Sequence, residues 1–510
     1  MSQVSNNKRV AKNTLFLYFR MILIMLVTLY TSRVILAELG ISDFGIFNVV
    51  AGVVMMFAFL NNCMVTSTQR YLNFEMGKGN PESIRKVFSA ALNIHIGIAL
   101  AIILLCESIG IWFLNNKLNI PADRMVAANW IFQFSILTFC VNILQVPYNA
   151  VIIAHEKMNV YAYISILEVF LKLGIVYLLA ISPIDKLITY GILFFLVQLI
   201  IRLIYQIYCR RNYQEARFRL FWDKPLYKEM TGFALWNMFG SLSWLLRDQG
   251  LNIVLNLFFG PVINAARGVA MQVYRAVQGF ITNFQMALNP QITKSYAVGE
   301  LDSMENLSYM GIKISYMLLF FISLPLMLNI DFVLGLWLKE VPDYSALFVN
   351  LIIIDSLVGN LFGTPLMTSL SATGKIRNYQ MAVSVIIMLI VPAGYFALKM
   401  GYDAPSVFYI SIIFTLISGV VRFLFCKKQI GFSVRKLMTK ALLPITYMTV
   451  LTLPIPLLLK FCYMRQDNWT NFFILCIVSV IATGVTAWFV GLRSNERTKL
   501  VQMVRTKLHR

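Results

Sequence analysis

The chain reads as an all-α polytopic membrane protein with about fourteen transmembrane helices, and three observations predict it. Of its 510 residues, 59% are hydrophobic and only 13% charged, whereas an ordinary soluble domain carries about 25% charged residues. The apolar residues gather into long runs, and about 20 residues suffice to cross ~30 Å of hydrocarbon as a helix. Lys and Arg concentrate in alternate connections between those runs, the pattern of a chain threaded repeatedly through a bilayer.

The runs place helices near residues 14 to 37, 44 to 64, 89 to 113, 125 to 151, 160 to 182, 187 to 208, 231 to 257, 263 to 290, 309 to 330, 344 to 370, 379 to 400, 406 to 426, 441 to 461 and 471 to 491. The first follows Lys8, Arg9 and Lys12 but has no small-residue cleavage site, so it reads as a retained span. Of the 44 Lys and Arg, 28 fall in the termini and even-numbered connections and five in the odd-numbered ones. Positive connections stay in the cytoplasm, so both termini are expected there. The most basic internal connections, 209–228 and 427–440, interleave bases with aromatic or apolar residues and are expected to lie on anionic inner-leaflet lipids. This explains most of the net charge of +21, and the chain has no soluble basic domain for nucleic acid.

A weak internal repeat divides the chain. Ala154 to Tyr161, following Pro147, is echoed by Ala372 to Tyr379, following Pro365. Leu39-Gly40 matches Phe259-Gly260, and Gly77 to Asn80 matches Gly299 to Asp302. An advance of six spans leaves both copies in the same orientation. The expected organisation is an N-lobe over 1–208 (spans 1 to 6), a basic cytoplasmic linker over 209–230 and a C-lobe over 231–426 (spans 7 to 12). A second basic connection over 427–440, two appended spans in 441–491 and a basic cytoplasmic tail over 492–510 follow.

Eleven Lys and Arg lie within the spans, against four carboxylates. A charge near the bilayer centre costs roughly 2.5–3.5 kcal/mol on insertion scales, so this excess points to a cavity that holds an anion. Lys313, Lys399, Arg422 and Lys460 lie near span ends and are expected to reach the headgroups. Arg20, Arg33, Arg202 and Arg267 sit a turn or more inside and read equally as snorkelling or as cavity lining. Lys172, Arg247 and Arg275 are near mid-span. Lys172 has Glu168 four residues before it, the favourable order for a helical ion pair. Arg247 and Asp248 are adjacent and point about 100° apart. Arg275 shares a face with Arg267, about 12 Å away along the axis, and its alternatives are a cavity-facing role or pairing with Asp355 or Asp248.

The candidate substrate-binding set is thus Arg20, Arg33, Arg202, Arg247, Arg267 and Arg275, all guanidinium groups suited to phosphate oxygens. Asp248, Asp355, Glu168 and Lys172 are candidate coupling or structural charges, with H⁺ or Na⁺ as the coupling ion. Seven scattered Cys and three scattered His lack metal-ligand spacing, and no cofactor is expected. Pro147, Pro290, Pro325, Pro365 and Pro392 are expected to bend their helices.

Two tandem six-span lobes with a cationic interior resemble the MATE-like multidrug/oligosaccharidyl-lipid/polysaccharide (MOP) exporter superfamily. Thr31 to Gly45 (TSRVILAELGISDFG), Gln69 to Leu72 and Ala154 to Tyr161 resemble its bacterial polysaccharide biosynthesis branch, the O-antigen and capsule flippases. That resemblance implies a flippase of the bacterial inner membrane working by alternating access. Its substrate would be an undecaprenyl-diphosphate-linked oligosaccharide, with polysaccharide polymerase and chain-length machinery as partners. A MATE-type drug or metabolite exporter and a lipid II-type flippase are the nearest alternatives, although cationic drugs call for an acid-rich cavity. A membrane-embedded glycan polymerase or ligase is a further class, but the longest outer connection, 331–343, spans only about a dozen residues.

Overall fold

In the computed structural model the chain is helical, with no strand among the described residues. The backbone is described for residues 3–55, 58–117, 120–183, 185–219, 221–338, 341–463, 468–493 and 496–498. Side chains are described there except at 3–12, 29, 32, 33, 36, 37, 41, 42, 44, 45, 48, 49, 52, 53, 55, 58–62, 117, 261 and 463.

The first half comprises α1 (Gln3–Met55), α2 (Ala58–Lys78), α3 (Pro81–Asn116), α4 (Ala122–Ala154), α5 (Met158–Ala180) and α6 (Lys186–Asn212). The second comprises α7 (Lys224–Phe259), α8 (Pro261–Ala297), α9 (Leu301–Leu328), α10 (Ser345–Ala372), α11 (Arg377–Lys399) and α12 (Ser406–Ile430). Then come α13 (Val434–Cys462) and α14 (Trp469–Gly491). Continuous helix is the economical answer here, because hydrocarbon offers backbone groups no partner except one another. Among the described residues ten helices, α3 to α6 and α9 to α14, are long and apolar enough to cross a membrane, against the fourteen expected. On α7 and α8, Arg247, Asp248, Asn252, Asn264, Arg267 and Arg275 interrupt the apolar run.

Local signals set the helix ends. Asn80 accepts hydrogen bonds from the Glu82 and Ser83 amides ahead of Pro81, and Asp185 accepts from Leu187 and Ile188, each satisfying amides left open at a helix start. Of the prolines expected to bend helices, Pro365 and Pro392 lie beside breaks at Phe362–Gly363 and Leu389. Pro147, Pro290 and Pro325 sit inside uninterrupted helices.

The repeat is visible in the backbone. Gly40 (φ 75, ψ 167) separates the first two spans and Gly260 (φ 76, ψ −171) the seventh and eighth. That region of φ/ψ space is essentially restricted to glycine. Gly79 and Gly299 share positive φ, as do Glu156 and Gly374. Gly79 therefore pairs with Gly299, two residues away from the register expected from Gly77 to Asn80. The Cys209 thiol donates to the Tyr148 carbonyl (3.5 Å) and the Cys426 thiol to the Leu366 carbonyl (3.7 Å).

Two compact units divide the chain, Ala11–Met238 and Phe239–Arg510 with Met1–Val10; the division falls inside α7. The first unit is built around α4, whose most apolar stretch is 72% buried. A methyl group added at Gly110 on α3 would lie 2.7 Å from the Phe132 ring, and one at Gly191 on α6 would lie 2.6 Å from Ile131. Both glycines are there because the helices approach too closely for a side chain. In the second unit α13 and α14 cover α9. Gly491 sits against Met317, Tyr316 meets the Thr449 hydroxyl at 3.1 Å, and Asn329 faces the Cys476 thiol.

Candidate functional site

The second unit gathers most of its deep charge on the α7–α8 hairpin. Arg247 leaves α7 toward α10 and α12, where it donates to Asp355 (2.5 Å) and to the Ser411 hydroxyl. Ser411 donates in turn to Asp355 (3.1 Å). The Arg247 guanidinium also lies 4.8 Å from the Trp244 ring. Asp248, one residue on, points elsewhere and pairs with Arg267 of α8. Helical geometry separates the two neighbours, and each has found a partner on a different element. Around the second pair, Arg267 also faces the Asn252 side-chain oxygen at 3.5 Å. The Asn264 amide donates to both the backbone and side-chain oxygens of Asn252 (2.8 Å each), and Asn256 donates to Asn264 (3.3 Å).

Asp355 and Asp248 are thus taken by Arg247 and Arg267, leaving Arg275 with neither. Arg275 is exposed and has no hydrogen-bond or ion-pair partner among the described residues. An unpaired guanidinium is costly to leave in hydrocarbon.

In the first unit Lys172 pairs with Glu168 at 2.6 Å, Gln198 donates to the same carboxylate, and Phe194 lies 5.2 Å from the ammonium. Arg20 lies over the Tyr161 ring at 4.7 Å, and Arg202 donates to Gln206 at 2.7 Å. The Arg33 side chain lies outside the described residues.

Two cations expected at the headgroups are buried instead. Lys313 is fully enclosed and bonded to Glu496 at 2.5 Å. Arg422 donates to the Phe362 carbonyl (2.7 Å) and the Tyr379 hydroxyl (3.3 Å). Nearness to a span end suggested snorkelling, but α13, α14 and the segment after them cover that part of α9, and Arg422 of α12 is turned inward onto α10 and α11. Sequence reasoning also passed over the amides Asn252, Asn256 and Asn264. Their signal was present, since three amides cluster at the facing ends of two otherwise apolar spans.

The first unit carries its own charged clusters at the helix ends. Arg124 bridges Asp43 and Asp185 (2.5 Å to the latter), and Lys186 bonds Glu38 at 2.9 Å. Burial acts to raise Asp185, but Arg124 and the Ile188 and Leu187 amides hold its carboxyl below the usual range. At the other end His155 meets Glu215 at 2.6 Å and stacks on Tyr213. The His155 hydrogen bond outweighs burial and holds Glu215 low.

These features define a polytopic helical fold built as a tandem repeat. An outward-facing multidrug resistance MATE transporter of the MOP superfamily superposes with a TM-score of 0.71 at 14% identity, over 84% of this chain and 98% of that one. A MOP superfamily transporter from Pyrococcus furiosus, described as having a binding pocket of reverse polarity, gives 0.67 at 15% identity over 86% and 99%. The MATE transporter ClbM in complex with Rb⁺ gives 0.69 at 15% identity over 84% and 96%. No curated protein matches the sequence. The polysaccharide biosynthesis protein family matches residues 10–296, more than half of the chain, and the chain belongs to that family.

Proposed function

We propose that this protein is a flippase that carries undecaprenyl-diphosphate-linked oligosaccharide units across the bacterial inner membrane for O-antigen, capsule or exopolysaccharide assembly. Family membership supports a role in polysaccharide biosynthesis, and the fold is that of MOP transporters. Arg275 carries the reading: it is an exposed guanidinium on a membrane-depth helix, with no partner among the described residues. A diphosphate supplies the bidentate oxygens such a group prefers. We assign Arg20, Arg33 and Arg202 to the same route in the first half, with alternating access moving the substrate past them. Arg247 and Arg267 act there as paired groups that set the shape and polarity of the path. Asp355 is the acid we assign to a coupling H⁺ or Na⁺, because one of its carboxylate oxygens is buried without a hydrogen-bond partner. Cytoplasmic termini follow from the positive connections, and polymerase and chain-length proteins are the expected receivers of the product.

Deletion of the gene tests the reading. Lipid-linked glycan should accumulate on the cytoplasmic face as surface polysaccharide is lost. Loss of polysaccharide without that accumulation would sink the proposal.

A further inference from the structure

The Asp248, Asn252, Asn256, Asn264 and Arg267 side chains form a connected polar seam toward the Gly260 end of the α7–α8 hairpin. We infer that this seam is a saccharide subsite, which reads the glycan while Arg275 holds the phosphate; the inference rests on the flippase reading above.

The argument begins with charge. Arg267 and Asp248 neutralise each other, so the seam offers no net charge to attract a free anion or cation. What remains is a mixture of donors and acceptors. The Asn252 side-chain amide nitrogen donates to nothing among the described residues, while Asn256 is exposed with its side-chain oxygen open. The Arg267 Nε is buried without a hydrogen-bond partner in a residue only 7% exposed. Phosphate needs donors alone and a metal ion needs acceptors alone, whereas a sugar hydroxyl both donates and accepts. A mixed, neutral set therefore fits a polyhydroxylated ligand.

The surroundings agree. Trp244 lies one turn before Asp248 and is 47% exposed, with the Arg247 guanidinium 4.8 Å from its ring centroid. A flat aromatic surface beside hydrogen-bonding groups suits a sugar ring, which has both apolar C–H faces and polar edges. Arg275 lies eleven residues beyond Asn264, about 16 Å along the helix. That separation lets one substrate present phosphate to Arg275 and glycan to the amides. Nor is the seam self-sufficient, since the amides flanking the Gly260 turn still need water or a ligand to satisfy them.

The test measures binding by the full chain in detergent with two probes. One is farnesyl diphosphate without sugar; the other is farnesyl diphosphate carrying the repeat unit of the host's own surface polysaccharide. An Asn252→Ala, Asn264→Ala double variant should bind the sugar-bearing probe about tenfold more weakly, the cost of one or two hydrogen bonds, with its affinity for the bare diphosphate unchanged. Asn256→Ala, on an exposed side chain that leaves packing intact, should weaken only the sugar-bearing probe, by about threefold. Arg275→Ala should weaken both probes. Equal loss on both probes in the asparagine variants, or no loss on either, overturns the saccharide assignment. A wild-type protein that binds neither probe overturns the flippase reading itself.

Discussion

The two halves share a backbone plan and differ in where they keep charge. Gly40 and Gly260 adopt the same glycine-only conformation, and the positive-φ positions at 79 and 299, and at 156 and 374, correspond. Side-chain chemistry does not follow. The first half ties its ends with ionic clusters, Arg124 to Asp43 and Asp185 and Lys186 to Glu38, and rests Arg20 on an aromatic ring. The second half pairs Arg247 of α7 with Asp355 of α10 and Arg267 of α8 with Asp248, gathers amides around the Gly260 turn, and buries Lys313 behind Glu496. The two halves therefore share the backbone turns that define the helix layout, while their side-chain chemistry differs.

Four tests break or sharpen that comparison. The largest effect is expected from Glu496→Ala, which leaves the fully buried Lys313 without its partner. Loss of one member of a buried pair costs about 3–5 kcal/mol, so thermal melting of the purified protein should fall steeply. A Lys313→Met, Glu496→Leu double variant should recover most of the loss. An unchanged Glu496→Ala melting curve would show that the pair does not hold α9 to the chain's end.

Next is Arg275→Ala. Removing a charged hydrogen-bonding group costs about 1.5–3 kcal/mol of substrate binding, so complementation of a deletion strain should fail while the protein inserts in normal amount. Wild-type complementation would reject the phosphate assignment.

The shared backbone is tested by Gly40→Ala and Gly260→Ala. An added methyl meets no atom within 4 Å at either site, so the penalty is conformational, about 1–3 kcal/mol. Equal drops in melting temperature are expected; a marked difference would mean that the two turns are not equivalent.

The smallest effect concerns pH. Asp185 has a lowered carboxyl, so its contribution is complete above the unfolded value of about 3.9 and fades as pH falls through the lower folded value. The melting-temperature gap between wild type and Asp185→Asn should be constant from about pH 5 to 8 and shrink below about pH 4. A gap that widens on acidification would contradict the ion pair.

Much of the layout was legible in the sequence, and particular residues show why. Apolar runs mark helices because a bilayer forces backbone hydrogen bonds to close locally. Gly40 and Gly260 stood out at the same offset because the turn between spans needs a positive φ that glycine alone adopts cheaply. The Lys172–Glu168 pair could be read from its spacing because its partners are four residues apart on one helix.

Other positions could not be read that way. Gly79 pairs with Gly299 only when the backbone is seen, since the flanking letters suggested a register two residues off. The fate of each buried cation also waited for tertiary structure. Arg247 meets Asp355 across 108 residues, Lys313 meets Glu496 across 183, and Arg422 is held by a backbone carbonyl that no sequence pattern marks.

The sequence by itself determined the membrane class, the helical runs and the tandem repeat, because each follows from interactions within a few residues or from the thickness of the bilayer. Only the tertiary structure decided which intramembrane arginines are already paired and that the exposed Arg275 has no partner among the described residues, because a long-range ion pair depends on packing between helices distant in the chain.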